Sequence, residues 1–404
     1  MRGRVARDSL ALATGSVFAG LLAYVFFALA TRSLGAAAAA PVSILWSYWA
    51  LAAAVLTFSV QHWIIATLAR DGHESTVARS MPRIALAGGA LAVLTGVVAF
   101  AARGILFDDG GVAFPAMVAV LTAGSLFTGI VRGALAGRRR YVASAACLVS
   151  ENAVRVAGAV AAALAGAGAV AFGVALVVGS LTGLIWVRAL RFEHSHPRSH
   201  PVRNPMALMS GIAGGSLIAQ VVLTGGPVAL AVVGGSPAEV TSVFVALAVC
   251  RAPYVVALGV APQLTGWLAR LAGQGQQTRL ARLRAGTAVA TLAAAGLAAL
   301  LAIGVLPWLL RGIFGPDVEL ATGLLVMLGI GTAVALGNLV LLLLLLALQR
   351  PRSATWAWTA ALVVAAGWLA AGFDEPATRV VVAFLLAQVT AFVVLLALSG
   401  RGRR

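Results

Sequence analysis

Apolar runs of about 20 residues recur along the whole chain, and this feature constrains the fold more than any other. A run of that length crosses the hydrocarbon core of a bilayer as an α-helix, which makes all its backbone hydrogen bonds internally. Only 10% of the 404 residues are charged, whereas about a quarter are charged in a typical soluble domain. The sequence therefore predicts an all-α polytopic membrane protein.

Hydropathy and the polar breaks between runs predict about 12 transmembrane helices. The boundary between the fifth and sixth is the least distinct, because the segment LAGAGAV (164–170) is itself apolar. The predicted spans are 10–31, 42–66, 84–102, 113–131, 142–165, 168–187, 207–233, 239–264, 285–310, 319–348, 354–372 and 379–398.

Arginines are distributed unevenly between the two sides of this predicted topology. The chain has no lysine, and with a cytoplasmic N-terminus 23 of its 29 arginines fall on the inner side. The outer side holds four, which are Arg32, Arg103, Arg311 and Arg379. Cytoplasmic loops of membrane proteins carry such an excess. We therefore predict a multi-pass protein of the inner (plasma) membrane with both termini cytoplasmic, whose net charge of +17 requires no nucleic-acid partner.

A polar segment, RALRFEHSHPRSHPVRNP (188–205), divides the chain almost in half. We predict an N-terminal six-helix lobe at 1–187, a cytoplasmic linker at 188–206 and a C-terminal six-helix lobe at 207–404. The linker contains three histidines without a neighbouring cysteine or carboxylate cluster, so we interpret them as solvated linker residues. Neither a metal site nor a cofactor is expected.

Four pairs of short motifs recur in the two halves, in the same order and at equivalent places in the topology. The pairs are ATGS (13–16) with AGGS (213–216), LAR (68–70) with LAR (268–270), RGILF (103–107) with RGIF (311–314), and GALAGRRRYVASA (133–145) with LLALQRPRSATWA (345–357). They indicate a duplication of six helices. Because both halves keep the same orientation, the predicted pseudo-twofold axis runs along the membrane normal, and a substrate is expected between the lobes.

Several classes of enzyme are excluded by the residues that the chain lacks. Without lysine there is no Walker A phosphate loop and no lysine nucleophile. The acid pairs at 108/109 and 374/375 are interpreted as solvated loop charges and not as a glycosidase pair. We therefore expect no enzyme activity, and movement of a solute driven by a gradient or potential remains.

The predicted topology and three sequence motifs resemble the polysaccharide flippases of the multidrug/oligosaccharidyl-lipid/polysaccharide (MOP) exporter superfamily. The motifs are TGSVFAG…ATRSLG (14–35), RGALAGRRRY (132–141) and APQLTGWLARLAGQG (261–275). The resemblance covers nearly the whole chain. It implies an alternating-access transporter that flips a lipid-linked oligosaccharide on undecaprenyl diphosphate from the inner to the outer leaflet, for polysaccharide biosynthesis in the cell envelope. It also implies three kinds of partner: membrane lipids, a coupling cation or proton, and the glycosyltransferases and polymerase of the same pathway.

Glu151 and Arg155 place two ionisable groups inside the fifth span. They are spaced i, i+4 with the glutamate first, the favourable order for an ion pair on one helix face. Isolated charges are costly in hydrocarbon, so mutual neutralisation would let this helix insert. Two roles remain open: a structural pair within the lobe, or a carboxylate that responds to a proton or coupling cation.

Arg251 lies near the middle of the predicted eighth span. The lipid II branch of the family has cavity arginines in its first, second and eighth helices, and only the eighth has a counterpart here, Arg251. Arginine suits bidentate contact with phosphate, so we interpret Arg251 as a ligand of the substrate diphosphate. Two alternatives remain open: contact with Glu151, or a hydrogen bond to backbone carbonyls freed near Pro253.

Polar residues also form stripes on two predicted helices. The stripes are Ser47, Ala54, Phe58 and Gln61 in the second span, and Ser210, Leu217, Gln220 and Thr224 in the seventh. For Gln61 and Gln220, substrate-binding cavity lining and helix–helix contact remain equally open, whereas Asn338 in the tenth span is expected to join helices. Pro227 and Pro253 are expected to mark bends.

Two other functions compete with a flippase. A multidrug or cation antiporter of the same superfamily would need a free carboxylate to receive its cation, and the predicted cavity helices offer an arginine instead. A non-transporting scaffold of a glycan-assembly complex would need neither a mid-membrane arginine nor an internal duplication.

Overall fold

A computed structural model describes residues 2–71, 74–107, 111–192, 217–274, 276–348, 350–372 and 375–400. The elements within these ranges are helices. Several predictions lie outside the described residues: most of the linker (193–206) with its histidines, Ser210, the motif AGGS (213–216), and the acids Asp108, Asp109 and Asp374. The described chain forms two compact units, one of Met1–Leu34 with Ala38–Ala213, and one of Gly35–Ala37 with Gly214–Arg404.

The helices up to residue 192 run almost without break from one predicted span to the next. They are α1 (Arg2–Ala38), α2 (Ala40–Ala52), a π-helical turn (Ala53–Phe58), α3 (Ser59–Asp71), α4 (Ser75–Ala101), α5 (Arg103–Leu106), α6 (Ala113–Gly137), α7 (Tyr141–Leu164), α8 (Ala169–Leu181) and a 3₁₀ helix (Thr182–Leu190). The uncertain boundary between the fifth and sixth spans is confirmed, since α7 ends at Leu164 and Gly166 takes a positive φ of 60° before α8.

The helices after residue 216 include two spans that are broken. They are α9 (217–224), α10 (Gly226–Val232), α11 (Pro237–Cys250), α12 (Ala252–Gly273), α13 (Gln277–Gly304), α14 (Leu306–Phe314), α15 (Thr322–Ala347), α16 (Pro351–Ala371) and α17 (Pro376–Gly400). Across the described chain, ten helices are long and apolar enough to span a membrane, and α11 with the start of α12 makes an eleventh. The remaining predicted span, the seventh, begins outside the described residues.

Glycines determine how closely α6 packs at the centre of the first unit. Gly129, Gly133 and Gly137 recur every fourth residue, so they share one face of the helix. A Cβ atom at Gly129 would lie 2.8 Å from the Cα of Thr57, and one at Gly133 would lie 3.0 Å from the Cα of Gln61. Small residues at this spacing allow the backbones of membrane helices to approach. This face therefore seats α6 directly against the second predicted span.

The third and ninth spans are longer than predicted. Helix α4 begins at Ser75 instead of residue 84, and α13 begins at Gln277 instead of residue 285. Both extensions carry arginines, which hydropathy assigns to loops. A helix can continue beyond the hydrocarbon because long arginine side chains reach the interface. Hydropathy therefore predicted the apolar part of each helix and not the residue at which the helix begins.

Two repeated motifs form equivalent structures in the two halves. RGILF forms the short helix α5 and RGIF ends the short helix α14, and each motif ends on a buried phenylalanine, Phe107 or Phe314. Between α6 and α7 the backbone N–H of Arg140 donates to the carbonyl of Leu135 over 2.8 Å. Between α15 and α16 that of Arg350 donates to the carbonyl of Leu345 over 2.9 Å. In the structure Arg140 therefore corresponds to Arg350. The sequence alignment of GALAGRRRYVASA with LLALQRPRSATWA instead pairs Arg140 with Arg352, two residues later.

Candidate functional site

The predicted ion pair forms inside the first unit. The Nη2 atom of Arg155 lies 2.5 Å from Oε1 of Glu151, one helical turn away on α7. The residues are 0% and 3% exposed. The role of the pair is a separate question, which depends on what else surrounds the two charges.

The guanidinium of Arg155 is held by groups from three helices. Its Nη1 donates to Oδ1 of Asn152 over 3.4 Å, and its Nη2 to Oγ of Ser180 over 3.2 Å. Its planar face lies 4.1 Å from the ring centroid of Trp49, a cation–π distance. A Cβ atom at Gly179 would collide with the Arg155 side chain. Gly179 is therefore part of this site, and periodicity alone could not identify it because glycine is so common in this chain.

Arg132 is a further cation inside the first unit. It was predicted among the inner-side arginines, but it lies within α6, which continues to Gly137. Its Nε is buried and has no hydrogen-bond partner among the described residues. The position of Arg132 inside a helix could have been predicted from the glycines at 133 and 137, because their spacing indicates that the helix continues past residue 131.

The surroundings of Glu151 favour a structural role for the pair. Loss of the carboxylate charge would leave Arg155 without its counter-charge in a buried site, a costly state. The contacts of Arg155 with α2, α7 and α8 also join the helices of one unit. The alternative role, in coupling to a proton or cation, stays a prediction.

Arg251 lies at a break and not within a continuous span. It ends α11, and the axis of the chain turns by 48° between α11 and α12. Pro253 is the second residue of α12, so the predicted bend at this proline is confirmed. Arg251 keeps its predicted place between the ends of the eighth span, but this span consists of two helices joined at Arg251 instead of one continuous helix.

The side chain of Arg251 satisfies a carbonyl that a proline has freed. Its Nη1 donates to the backbone oxygen of Leu223 over 2.9 Å. In a regular helix that oxygen would accept from the N–H four residues later, but residue 227 is a proline and has none. The predicted alternative placed the freed carbonyls near Pro253, whereas the carbonyl that Arg251 contacts belongs to Leu223 and is freed by Pro227. Contact with a substrate phosphate stays a prediction.

Gln61 and Gln220 occupy different settings. Gln61 lies on α3, where its backbone meets α6 at Gly133 and its Oε1 is buried without a partner in the described part of the chain. Gln220 is half-buried on α9, and its backbone carbonyl accepts a hydrogen bond from Oγ1 of Thr224 over 2.7 Å. Their assignment as substrate-binding residues stays a prediction.

The expected stripe on the second span is wrong. Ser47 is 3% exposed and Phe58 is 44% exposed, so the two residues face different environments. The π-helical turn between Ala53 and Phe58 lies between them and changes the number of residues per turn. Residues before and after this turn therefore cannot be assigned to one helix face from the regular period of 3.6 residues.

Asn338 joins helices, as predicted. Its Nδ2 donates to the backbone oxygen of Gln388 over 3.0 Å and to Oε1 of the same residue over 2.9 Å. The two residues, from α15 and α17, are 1% and 0% exposed. Gln388 was not among the predicted site residues.

Comparison with known proteins shows the fold. No family model and no curated protein matches the chain. An inward-facing multidrug resistance MATE family transporter of the MOP superfamily matches with a TM-score of 0.69 and 15% identity, over 94% of this chain and 93% of that one. A MOP superfamily transporter from Pyrococcus furiosus, described with a binding pocket of reverse polarity, matches with a TM-score of 0.63 and 15% identity, over 98% and 96%.

A third solved structure is the lipid II flippase MurJ in an inward closed conformation. It matches with a TM-score of 0.65 and 12% identity, over 96% of this chain and 86% of that one. The predicted fold class, an all-α membrane protein of about 12 helices in two lobes, is confirmed by these similarities.

Proposed function

We propose that this chain, which has the fold of the MOP superfamily transporters, flips a polyprenyl-diphosphate-linked glycan precursor from the inner to the outer leaflet by alternating access. Such a flippase would serve cell-surface polysaccharide biosynthesis. Glycosyltransferases would supply its substrate and a polymerase would consume its product. MurJ is itself described as a lipid II flippase, so a lipid-linked substrate is compatible with this fold.

The sign of the charges inside the spans supports an anionic substrate. Of the 12 acids, only Glu151 falls inside a predicted span away from its ends, and it is paired with Arg155. Arg132 within α6 and Arg251 at the junction of α11 and α12 add two more cations. A diphosphate crossing a low-dielectric region needs compensating cations and hydrogen-bond donors. This excess of cations is the observation that carries the proposal.

Arg251 is the residue we assign to the substrate diphosphate. Its contact with Leu223 fixes the guanidinium at the meeting point of two broken helices, so its direction is set before a substrate arrives. Discontinuous helices of this kind commonly form substrate sites in transporters. Gln61 and Gln220 are proposed to contribute neutral polar contacts to the glycan.

Substitution of Arg251 tests this assignment. We expect Arg251→Gln to abolish export of the lipid-linked glycan while the amount of membrane-inserted protein stays near normal. Arg251→Lys is expected to retain part of the activity, because it keeps the charge and loses the bidentate geometry. The measurement is accumulation of glycan-lipid on the inner leaflet, made together with protein abundance.

The control variant is Arg352→Gln, which removes an exposed arginine from the first turn of α16. It should leave export unchanged. Full export by Arg251→Gln would remove Arg251 from the substrate path. Loss of the Arg251→Gln protein itself would show that the contact with Leu223 is needed for folding.

A multidrug or cation antiporter is the second candidate, because the MATE family transporter shares the fold over nearly the whole chain. It differs from the flippase in what the protein must bind, since a cationic drug would meet the cations described above. Transport of a cationic dye that persists in Arg251→Gln would favour the antiporter. A scaffold without transport would show neither activity.

A further inference from the structure

Four arginines lie exposed on the polar extensions of α4 and α13, the helices of the third and ninth spans. They are Arg79 and Arg83 on α4, and Arg279 and Arg282 on α13. Arg79 and Arg279 are 200 residues apart, the same offset that separates the two copies of the motif LAR. The duplication predicted from the motifs therefore extends to a pair of exposed arginines in each unit.

The charge of these pairs is not compensated within the described part of the chain. None of the four arginines takes part in a described ion pair. The one hydrogen bond described for them joins Nε of Arg79 to the backbone oxygen of Ser75, one helical turn earlier, over 3.3 Å. Like charges three or four residues apart on a helix repel each other and destabilise it. An anion bound by both arginines of a pair would relieve this repulsion.

Each pair continues into an apolar stripe on the same face of its helix. On α4, Leu86 and Val93 follow Arg83 by three and ten residues and are 76% and 66% exposed. On α13, Val289 and Leu292 follow Arg282 by seven and ten residues and are 68% and 73% exposed. These spacings place the side chains on one face of a helix. Of the ten continuous spans in the described chain, these two are the least buried.

A stripe of exposed apolar residues that ends in two cations matches an amphiphile with an anionic head group. The stripe suits acyl chains, and an arginine at its end extends its long side chain to the head-group region. There a phosphate accepts charge-assisted hydrogen bonds from the guanidinium. Basic residues next to membrane spans attract anionic phospholipids in the same way.

We propose that each arginine pair binds the head group of an anionic phospholipid such as phosphatidylglycerol, whose acyl chains lie along the apolar stripe. The chain then has two equivalent lipid sites, one in each unit, at the ends of α4 and α13 that carry the arginines. Arg284 on α13 is not part of the site, because it packs against Gly400, where a Cβ atom would collide with its guanidinium. The two sites are independent of the transported glycan.

Spin-labelled lipids test the sites in the purified full chain. The protein is reconstituted in phosphatidylcholine bilayers with a trace of phosphatidylglycerol or phosphatidylcholine labelled on an acyl chain, and the immobilised fraction of each label gives its relative affinity. The wild-type protein should prefer phosphatidylglycerol at low salt. The preference should weaken at high salt, because salt screens contacts between exposed charges.

Replacement of the arginines by glutamine should reduce this preference unit by unit. Arg79→Gln with Arg83→Gln should remove about half of it, and the same change at Arg279 and Arg282 should remove the other half. Each arginine near a membrane surface contributes up to about fivefold in affinity for anionic lipid. Lysine at all four positions keeps the charges and should keep most of the preference.

Arg139→Gln with Arg140→Gln is the matched control for one pair. It removes two exposed arginines from the same predicted side of the membrane, in the turn between α6 and α7 and not on the face of a helix. It should keep the wild-type preference. The melting temperature in phosphatidylcholine should be the same for all variants, since the removed side chains are exposed, and this separates lipid binding from folding.

Three results would overturn the proposal: no preference in the wild-type protein, a full preference in the variant with four glutamines, or an equal loss in the control. Inorganic phosphate should not displace the lipid at equal concentration, because it lacks acyl chains to pack on the stripe. Displacement by phosphate would contradict the lipid site and indicate a site for a free anion. Tighter binding of farnesyl diphosphate than of phosphatidylglycerol would also contradict it and assign the arginines to the transported substrate.

Discussion

At the scale of single residues, buried charge in this protein is compensated locally. Glu151 is paired with Arg155 on its own helix. This partner could be predicted, because i, i+4 spacing specifies a contact within one helix. The contact of Arg155 with Ser180 could not, because it depends on how α7 and α8 pack. Likewise, Arg251 could be recognised as an unusual cation, but its carbonyl partner follows from the position of Pro227 on another helix.

The Glu151 site gives a prediction about single and double substitutions. Glu151→Gln leaves the buried guanidinium of Arg155 without its counter-charge, and removal of one partner of a buried pair typically costs about 3–5 kcal/mol. The double change Glu151→Gln with Arg155→Gln removes both charges and should restore part of the lost protein. Abundance and melting temperature of the three proteins measure this order.

A double variant that is clearly less stable than Glu151→Gln alone would contradict the structural role of the pair. A single variant that is stable but fails in transport would instead support the coupling role.

At the scale of helices, most spans follow from hydropathy, and their interruptions follow from local chemistry that hydropathy averages away. In both halves, the spans that the structure describes could be predicted from apolar runs alone. The π-helical turn at Ala53–Phe58 carries no composition signal, so the face of the second span could not be predicted beyond it. Prolines did indicate the breaks at Pro227 and Pro253, since proline removes a backbone donor.

The close face of α6 gives a prediction at this scale. Gly129→Ala would place a Cβ atom 2.8 Å from the backbone of Thr57, so α6 and the second span must separate. Overpacking of this kind typically costs about 1–3 kcal/mol, and the melting temperature should fall. Gly89→Ala is the control, because a Cβ atom at Gly89 would meet nothing within 4 Å. Equal melting temperatures of the two variants would show that the α6 packing is looser than described.

The broken helix at Pro227 gives a second prediction. Pro227→Ala would supply an N–H to the carbonyl of Leu223, which would then compete with Arg251 for the same acceptor. The helix should become more regular and the protein at least as stable as the wild type. If the break positions Arg251 for the substrate, glycan export should fall while the melting temperature does not. Unchanged export would separate the break from the transport function.

At the scale of the whole molecule, repetition is the feature that the sequence carries best. Weak motifs such as RGILF and RGIF form short helices at equivalent places in the two halves. A duplicated helical order survives sequence change, because each helix must still cross the membrane and pack within its unit. Substrate identity is different, since it depends on a few side chains whose partners come from distant parts of the chain.

The orientation of the molecule in the membrane gives a prediction that rests on the arginine distribution. Single cysteines at Asp109 and Asp374, in predicted outer loops, should react with an impermeant reagent added to intact cells. Cysteines at Arg139 and Arg282 should react only after permeabilisation. Labelling of Arg139→Cys in intact cells would reverse the topology and with it the assigned direction of flipping.

The most direct test of the flippase proposal is transport by the purified protein in liposomes. A fluorescent polyprenyl-diphosphate glycan and a cationic dye are offered separately, and the rate at which each appears on the opposite side is compared with liposomes that contain Arg251→Gln. The proposal predicts accelerated movement of the lipid-linked glycan by the wild-type protein, none by the variant, and no protein-dependent movement of the dye. Dye transport without glycan movement would contradict it.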